Sequence, residues 1–107
     1  MSQPARMNLP QTTKEGFLTD WQEWTKALAG FFASQQNIDL QPLHWAVIEF
    51  VRDFFARYQY SPTQRFIVKY LQSIDPNASS LTLKNLFPEG PRQICLIAGL
   101  PKPARCV

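Results

Sequence analysis

Prolines divide this chain of 107 residues into short segments. The proline ring fixes φ and removes the backbone N–H, so proline fits the first turn of a helix but breaks a helix interior. Pro42, Pro62 and Pro91 each stand where a stretch with helical apolar spacing begins. Near the end, Pro101 and Pro103 exclude further helix and favour an extended segment. We therefore expect short helices followed by a non-helical arm.

Apolar residues recur at spacings of three and four between these prolines, which indicates amphipathic helices. The longest predicted helix begins at Pro42, and its expected buried face consists of Val47, Phe50, Val51, Phe54 and Tyr58. The next is predicted to use Ser61 as N-cap before Pro62 and to bury Phe66, Ile67, Tyr70, Leu71 and Ile74. We expect a mainly α fold, a small orthogonal bundle of about five helices.

The ends of the bundle carry weaker signals. Residues 1–15 are polar and read as a loose lead-in, and Gly16 can take the positive φ of a tight turn that closes a short hairpin. A first helix is predicted from Asp20, with Glu23 completing a capping box, to about Ser34. After a break at residues 75–78, a short helix and a last helix from Pro91 follow, and Gly99 is expected as a left-handed C-terminal cap.

Charge and hydropathy exclude several protein classes. The net charge of +3 is a mild excess, short of the dense basic stripe of a dedicated nucleic-acid binder, so we expect no direct nucleic-acid binding. No window approaches the roughly 20 apolar residues of a membrane span, and no signal peptide is evident. We expect a cytoplasmic protein without a membrane partner.

The two cysteines, Cys95 and Cys106, are the candidates for chemistry. With a single histidine they make a poor zinc set, so no metal site is predicted. A thiolate attacks disulfides and persulfides, and the neighbouring cations Lys102 and Arg105 raise the thiolate fraction of Cys106, although the carboxylate of Val107 opposes them. We predict that Cys106 carries the chemistry; the alternative is a terminal cysteine without a role.

Cys95 has two interpretations. It lies among apolar residues of the last predicted helix, where a cysteine often acts as a small buried hydrophobe. Alternatively, the segment between Cys95 and Cys106 spans roughly 35 Å when it is extended, so it can fold back and bring the two thiols together. A reversible disulfide between Cys95 and Cys106 is therefore feasible.

Three other features have simpler explanations. His44 is expected to pack or cap in the first turn of the long helix. Arg65 and Lys69 lie four residues apart and either bind an anion or form a solvated face. Residues 43–73 are compatible with a helix-turn-helix, so a redox-responsive regulatory or DNA-binding protein, switched by a Cys95–Cys106 disulfide, is the alternative function.

The chain resembles a known family through its ending, Gly99-Leu-Pro-Lys-Pro-Ala-Arg-Cys-Val107, and through Gly16–Leu18, His44–Trp45 and Ser61–Arg65. These residues are similar to those of the DsrC/TusE family of sulfur-carrier proteins, over residues 15–107. The resemblance implies a helical domain with an N-terminal hairpin and a mobile C-terminal arm, residues 99–107, within one domain. Because MNLPQTTKEGFL lacks a clear first strand, we expect a shortened hairpin.

The resemblance also implies a function. Family members accept sulfur as a persulfide on the penultimate cysteine, which is Cys106 here, and pass it on without a cofactor. Cys95 matches a second cysteine that resolves the loaded sulfur in some members. Basic positions near the arm match Arg65, Lys69 and Lys102, and we add Arg105 to these binding residues.

Partners follow from the same resemblance. We expect an upstream sulfur-donor relay protein and a downstream acceptor enzyme, either the enzyme that makes 2-thiouridine in tRNA or dissimilatory sulfite reductase. The free protein is expected to be a monomer. Residues 79–85 depart from the family pattern, which indicates a different docking partner.

Overall fold

The computed structural model describes residues 10–103. This part of the chain contains five α-helices, α1 (Lys26–Gln35), α2 (Pro42–Tyr58), α3 (Gln64–Ile74), α4 (Ser80–Leu86) and α5 (Pro91–Ile97). The expectation of a mainly α fold with about five helices is confirmed. Among the described helices, none has the length and apolarity needed to cross a bilayer.

Before the helices, the chain reverses direction in a tight turn. Thr12 and Leu18 form an antiparallel bridge, and the Thr13 N–H donates to the Phe17 carbonyl at 2.7 Å. Gly16 has the positive φ expected of it, +94°. Phe17 and Leu18 are buried, so this turn is attached to the core.

The prediction of one helix from Asp20 to about Ser34 is wrong. Asp20 caps only a 3₁₀ turn at Trp21–Glu23, accepting a hydrogen bond from Gln22 N–H at 3.0 Å. The backbone is extended at Trp24, and the Thr25 side chain then caps α1. Threonine satisfies an N–H of the new helix, and the break lets Trp24 turn towards α5.

The buried face of α2 is rotated from the predicted one. Its buried residues are His44, Val47, Ile48, Val51 and Phe55. Tyr58 is 53% exposed, whereas it was predicted to be buried, and Phe50 and Phe54 are only partly buried. These rings contact one another and α3 at the surface; Phe50 stacks on Tyr70 with ring centroids 4.3 Å apart.

Two predictions for α3 are also wrong. Thr63, not Ser61, caps the helix, accepting a hydrogen bond from Phe66 N–H at 3.2 Å. Only Ile67 and Leu71 are buried on α3, while Phe66 is 50% and Ile74 is 48% exposed. Ser61 is thereby available for a contact with α5, described below.

The core is centred on α5. Every residue from Gln93 to Leu100 is buried. The helix packs against α1 and α2, and α3 packs against α2 and α4. A helix that is apolar all round must be enclosed by its neighbours, and this arrangement places both ends of α5 in contact with other elements.

Candidate functional site

Cys95 lies in the middle of α5 and is only 2% exposed. Its Sγ is 3.3 Å from the Ser61 hydroxyl oxygen, at the start of the segment that leads into α3. Burial raises the pKa of the Cys95 thiol, and the hydrogen bond to Ser61 opposes that shift in part. Because the thiolate is the nucleophile, this conformation holds Cys95 in its unreactive form.

The C-terminus of α5 has the left-handed cap predicted at Gly99, where φ is +72°. The Gly99 N–H donates to the Leu96 carbonyl at 3.3 Å and the Leu100 N–H donates to the Cys95 carbonyl at 2.9 Å. These two bonds form a Schellman motif, and they satisfy two of the last carbonyls of the helix.

The next two carbonyls are satisfied by side chains from distant elements. The indole N–H of Trp24 donates to the Ile97 carbonyl at 3.0 Å. The guanidinium of Arg52, on α2, donates to the Ala98 carbonyl at 2.9 Å. Helix ends leave such carbonyls without intrahelical partners, so Trp24 and Arg52 complete the cap.

Trp24 and Arg52 also contact each other. The guanidinium carbon of Arg52 lies 4.3 Å from the Trp24 ring centroid and 5.3 Å from that of Trp21. Partial burial lowers the pKa of Arg52, yet an arginine remains charged at neutral pH. We call Trp24 and Arg52 the exit clamp, because the chain leaves the body just beyond the carbonyls that they bind.

The arm begins directly after the exit clamp. Leu100 is fully buried, whereas Pro101 and Lys102 are exposed. The Lys102 ammonium contacts a Glu15 carboxylate oxygen at 2.9 Å, and this hydrogen bond lowers the pKa of Glu15. Among the predicted site residues, Arg105 and Cys106 lie outside the described residues.

The other predicted basic residues lie on α3. Arg65 and Lys69 are exposed and line a surface groove between α3 and the start of α4, together with Ser79 and Ser80. Within residues 10–103 neither forms an ion pair. Lys102 instead joins the N-terminal turn, so the structure does not gather these three cations around one point.

His44 packs and caps, as expected. Its Nδ1 accepts a hydrogen bond from the Gln41 N–H at 2.9 Å, and its Nε2–H donates to the Leu86 carbonyl at 2.9 Å. The ring meets Phe87 edge-on, with centroids 5.1 Å apart. Burial lowers the pKa of His44, which keeps the neutral tautomer that both hydrogen bonds require. In the part of the chain that the structure describes, no group of three potential ligands is placed to hold a metal ion.

Sequence reasoning missed both residues of the exit clamp. Trp24 falls inside the stretch predicted as one helix from Asp20 to about Ser34, and Arg52 lies on the long helix outside its expected buried face. One signal was available: a buried tryptophan N–H needs an acceptor, and a helix ending in glycine leaves carbonyls that can accept. Nothing in the spacing says which carbonyl is used.

Comparisons with known proteins match this chain to sulfur-transfer proteins. The family model "DsrC like protein" matches residues 6–107. Sulfurtransferase TusE of Sodalis glossinidius is 44% identical over 99 residues, which cover 90% of this chain and 92% of the relative. Sulfurtransferase TusE of Escherichia coli K12 is 40% identical over 100 residues, covering 91% and 92%.

Solved structures give the same grouping. The oxidized gamma-subunit of the dissimilatory sulfite reductase (DsrC) from Archaeoglobus fulgidus is 36% identical, with a TM-score of 0.84 and 92% of each chain covered. DsrC of Allochromatium vinosum is 37% identical, with a TM-score of 0.77 and 88% and 87% covered.

Proposed function

This chain belongs to the family of DsrC-like proteins and has a role in sulfur relay, and we propose that it carries sulfur as a persulfide on Cys106. The proposal makes it a sulfurtransferase that acts as a carrier, with no small-molecule turnover of its own. The relatives named for sulfur transfer support this function, and none of those described above is named as a regulator or DNA-binding protein. The alternative of a redox-switched regulator is therefore not favoured.

The burial of Cys95 is the observation that carries the assignment to Cys106. The chain has two cysteines, and a persulfide carrier must be reached by a donor and by an acceptor. Cys95 is 2% exposed and its pKa is raised by burial, so it does not suit either encounter in this conformation. The burial of Cys95 therefore supports Cys106 as the thiol that meets donor and acceptor.

The proposed transfer is an exchange between a thiolate and a persulfide, and it needs no added oxidant or reductant. The Cys106 thiolate attacks the outer sulfur of a donor persulfide, the donor S–S bond breaks, and the donor thiolate leaves. An acceptor thiolate then attacks the outer sulfur on Cys106, whose own thiolate leaves. Arg105 and Lys102 favour the thiolate that starts and ends the cycle.

A resolving role for Cys95 is a second step of the same proposal. The Cys95 thiolate attacks the inner sulfur of the Cys106 persulfide, forms the Cys95–Cys106 disulfide and releases hydrosulfide. This step requires a conformation in which Cys95 is reached, because its side chain is enclosed here. Two electrons from a reductant such as a dithiol then restore both thiols.

The proposed partners are proteins. A persulfide-bearing relay protein loads Cys106, and the acceptor is either the enzyme that makes 2-thiouridine in tRNA or dissimilatory sulfite reductase. The A. fulgidus DsrC is named as a sulfite reductase subunit, which supports the second acceptor, and the TusE relatives are named as sulfurtransferases, which supports sulfur transfer without naming an acceptor. Arg65 and Lys69 offer a partner two exposed cations on one helix face.

Persulfide mapping tests the proposal. The reduced protein is incubated with glutathione persulfide and alkylated, and the intact protein and its peptides are weighed. We expect a mass gain of one sulfur atom on Cys106 in the natural chain and in the Cys95→Ser variant, and none in Cys106→Ser. Equal loading of Cys106→Ser, or sulfur found on Cys95 alone, would refute the assignment.

A further inference from the structure

We propose that Trp24 and Arg52 are positioning residues for the carrier thiol: they fix the point at which the arm leaves the body and so set the concentration of Cys106 around it. This inference rests on the proposed function, because it concerns the delivery of the sulfur that Cys106 carries. Neither residue touches the reacting atoms.

The first support is that every carbonyl from Ile94 to Ala98, at the end of α5, accepts a hydrogen bond. The Ile94 carbonyl accepts from the Ala98 N–H, and the Cys95 and Leu96 carbonyls accept from the Schellman motif. The Ile97 and Ala98 carbonyls then depend on the exit clamp. If these two hydrogen bonds are lost, the last turn of α5 has buried acceptors without partners, and this penalty favours its unwinding.

A second support is that the exit clamp is itself held in place. Arg52 lies over the rings of Trp21 and Trp24, at 5.3 Å and 4.3 Å, so two aromatic rings hold the guanidinium that donates to Ala98. Its positive charge stands at a helix C-terminus, where a cation is favoured. Trp24 packs directly on Gly99, and a Cβ added there would overlap the indole.

The position of the exit decides how far Cys106 travels. Leu100 is buried, and Cys106 is the sixth residue after it, so even a fully extended chain keeps the thiol within roughly 20 Å of the exit. If the arm began after Leu96, Cys106 would be its tenth residue and could reach roughly 35 Å. Effective concentration falls as about the −3/2 power of length, so this change dilutes Cys106 about twofold even before the loss of direction.

The inference is tested with an intramolecular thiol in the chain itself. Lys102 contacts Glu15 at 2.9 Å, so the arm passes beside residue 15 and Glu15→Cys places an acceptor thiol on its path. In a Cys95→Ala, Glu15→Cys background, equilibration with reduced and oxidised glutathione gives the effective concentration of the Cys106 thiol at the introduced one. No sulfur loading is involved.

We expect Arg52→Met and Trp24→Phe each to lower that effective concentration at least about twofold. The matched control is Arg57→Met, on the same helix, which removes an exposed arginine that pairs with Asp53 at 3.5 Å. It is expected to leave the value unchanged. Arg52→Lys keeps the charge but not the planar group that both stacks and donates, and it should resemble Arg52→Met.

A purely structural role predicts a different result. If Arg52→Met and Trp24→Phe lower the melting temperature while the effective concentration equals that of the background, the proposal is wrong. Should Arg52→Met fail to fold, Trp24→Phe and Arg52→Lys decide the question. Persulfide mapping on the natural chain is separate, so failure of Cys106 loading refutes the proposed function without altering this measurement.

Discussion

At Gly99 the backbone takes a φ of +72°, and its α-carbon faces the ring of Trp24. A Cβ built on this residue would lie 2.9 Å from both Cβ and Cγ of Trp24 and closer still to Cδ1. Glycine therefore meets two requirements here, a left-handed conformation and a close approach of another side chain. The cap of α5 and the position of the Trp24 indole both require that residue 99 has no Cβ.

Gly99→Ala is predicted to destabilise the protein by about 2 kcal/mol or more, since the left-handed conformation alone costs roughly 1 kcal/mol in an L-residue and the overlap with Trp24 adds to it. Urea unfolding measures this change. Gly30→Ala is the control, because Gly30 lies within α1 with no atom near an added Cβ. Gly30→Ala should raise the free energy of unfolding by about 0.5–1 kcal/mol. Equal effects at the two positions would contradict this account.

Between elements, His44 joins the start of α2 to the end of α4. Its Nδ1 accepts from Gln41 before α2, and its Nε2–H reaches Leu86, the last residue of α4. Protonation of Nδ1 would replace an acceptor with a donor and break the first of these bonds. The joint between the two helices therefore requires a neutral imidazole.

The pH dependence of stability follows from this joint. Burial lowers the pKa of His44 in the folded state, so below about pH 6.5 the unfolded chain binds the proton first. The contribution of His44 to the free energy of unfolding should be constant above that pH and should fall as the pH decreases towards the pKa of the folded state. Urea unfolding between pH 7.5 and 5.5 measures the slope, and His44→Gln should abolish it because the chain has one histidine. A slope retained in His44→Gln would show that another group is responsible.

Most helices were predictable at the level of elements, because apolar spacing and proline both act locally. Pro42 and Pro91 begin helices as predicted, and Gly99 ends one. The caps were less predictable, since several polar residues compete before each helix. Thr63 is the N-cap of α3, whereas Ser61 contacts Cys95. The role of Ser61 thus depends on a residue 34 positions away.

Burial on α2 and α3 was mispredicted for a related reason. Both helices carry more apolar residues than are buried, and apolar spacing alone does not say which of them stay outside. Phe54 packs its ring 5.6 Å from Phe66 at the surface, where the two cover each other, while Ile67 and Leu71 fill the core. The exit clamp was missed because its contacts join residues 46 and 73 positions apart.

For the molecule as a whole, the boundary between body and arm lies after Leu100. Residues 93–100 are buried, and the chain becomes exposed at Pro101. The body contains the enclosed thiol, and the segment beyond it contains the other cysteine of the sequence. Under the proposed function, folding and sulfur carriage therefore belong to different parts of the chain.

Two truncations test this division. A chain ending at Leu100 should unfold at nearly the urea concentration of the natural protein, because the described residues that it loses are exposed or partly exposed. A chain ending at Ile97 loses the buried Leu100 side chain and the Ala98 carbonyl that Arg52 binds. We expect it to be less stable by at least about 3 kcal/mol, from lost burial and an unpaired donor. Similar unfolding of the two truncated chains would place the boundary elsewhere.

The saturated end of α5 has a consequence for the thermodynamics of docking. Since all its terminal carbonyls have partners, a bound partner gains no hydrogen bonds there by extending the helix, and the segment left for it to hold begins at Pro101. Fixing a backbone costs about 1–2 kcal/mol of conformational entropy per residue, and the prolines at 101 and 103 have lost part of theirs already. Under the proposed function, a docking segment that starts with these prolines carries a reduced entropic penalty, which favours binding that is specific and still readily reversed.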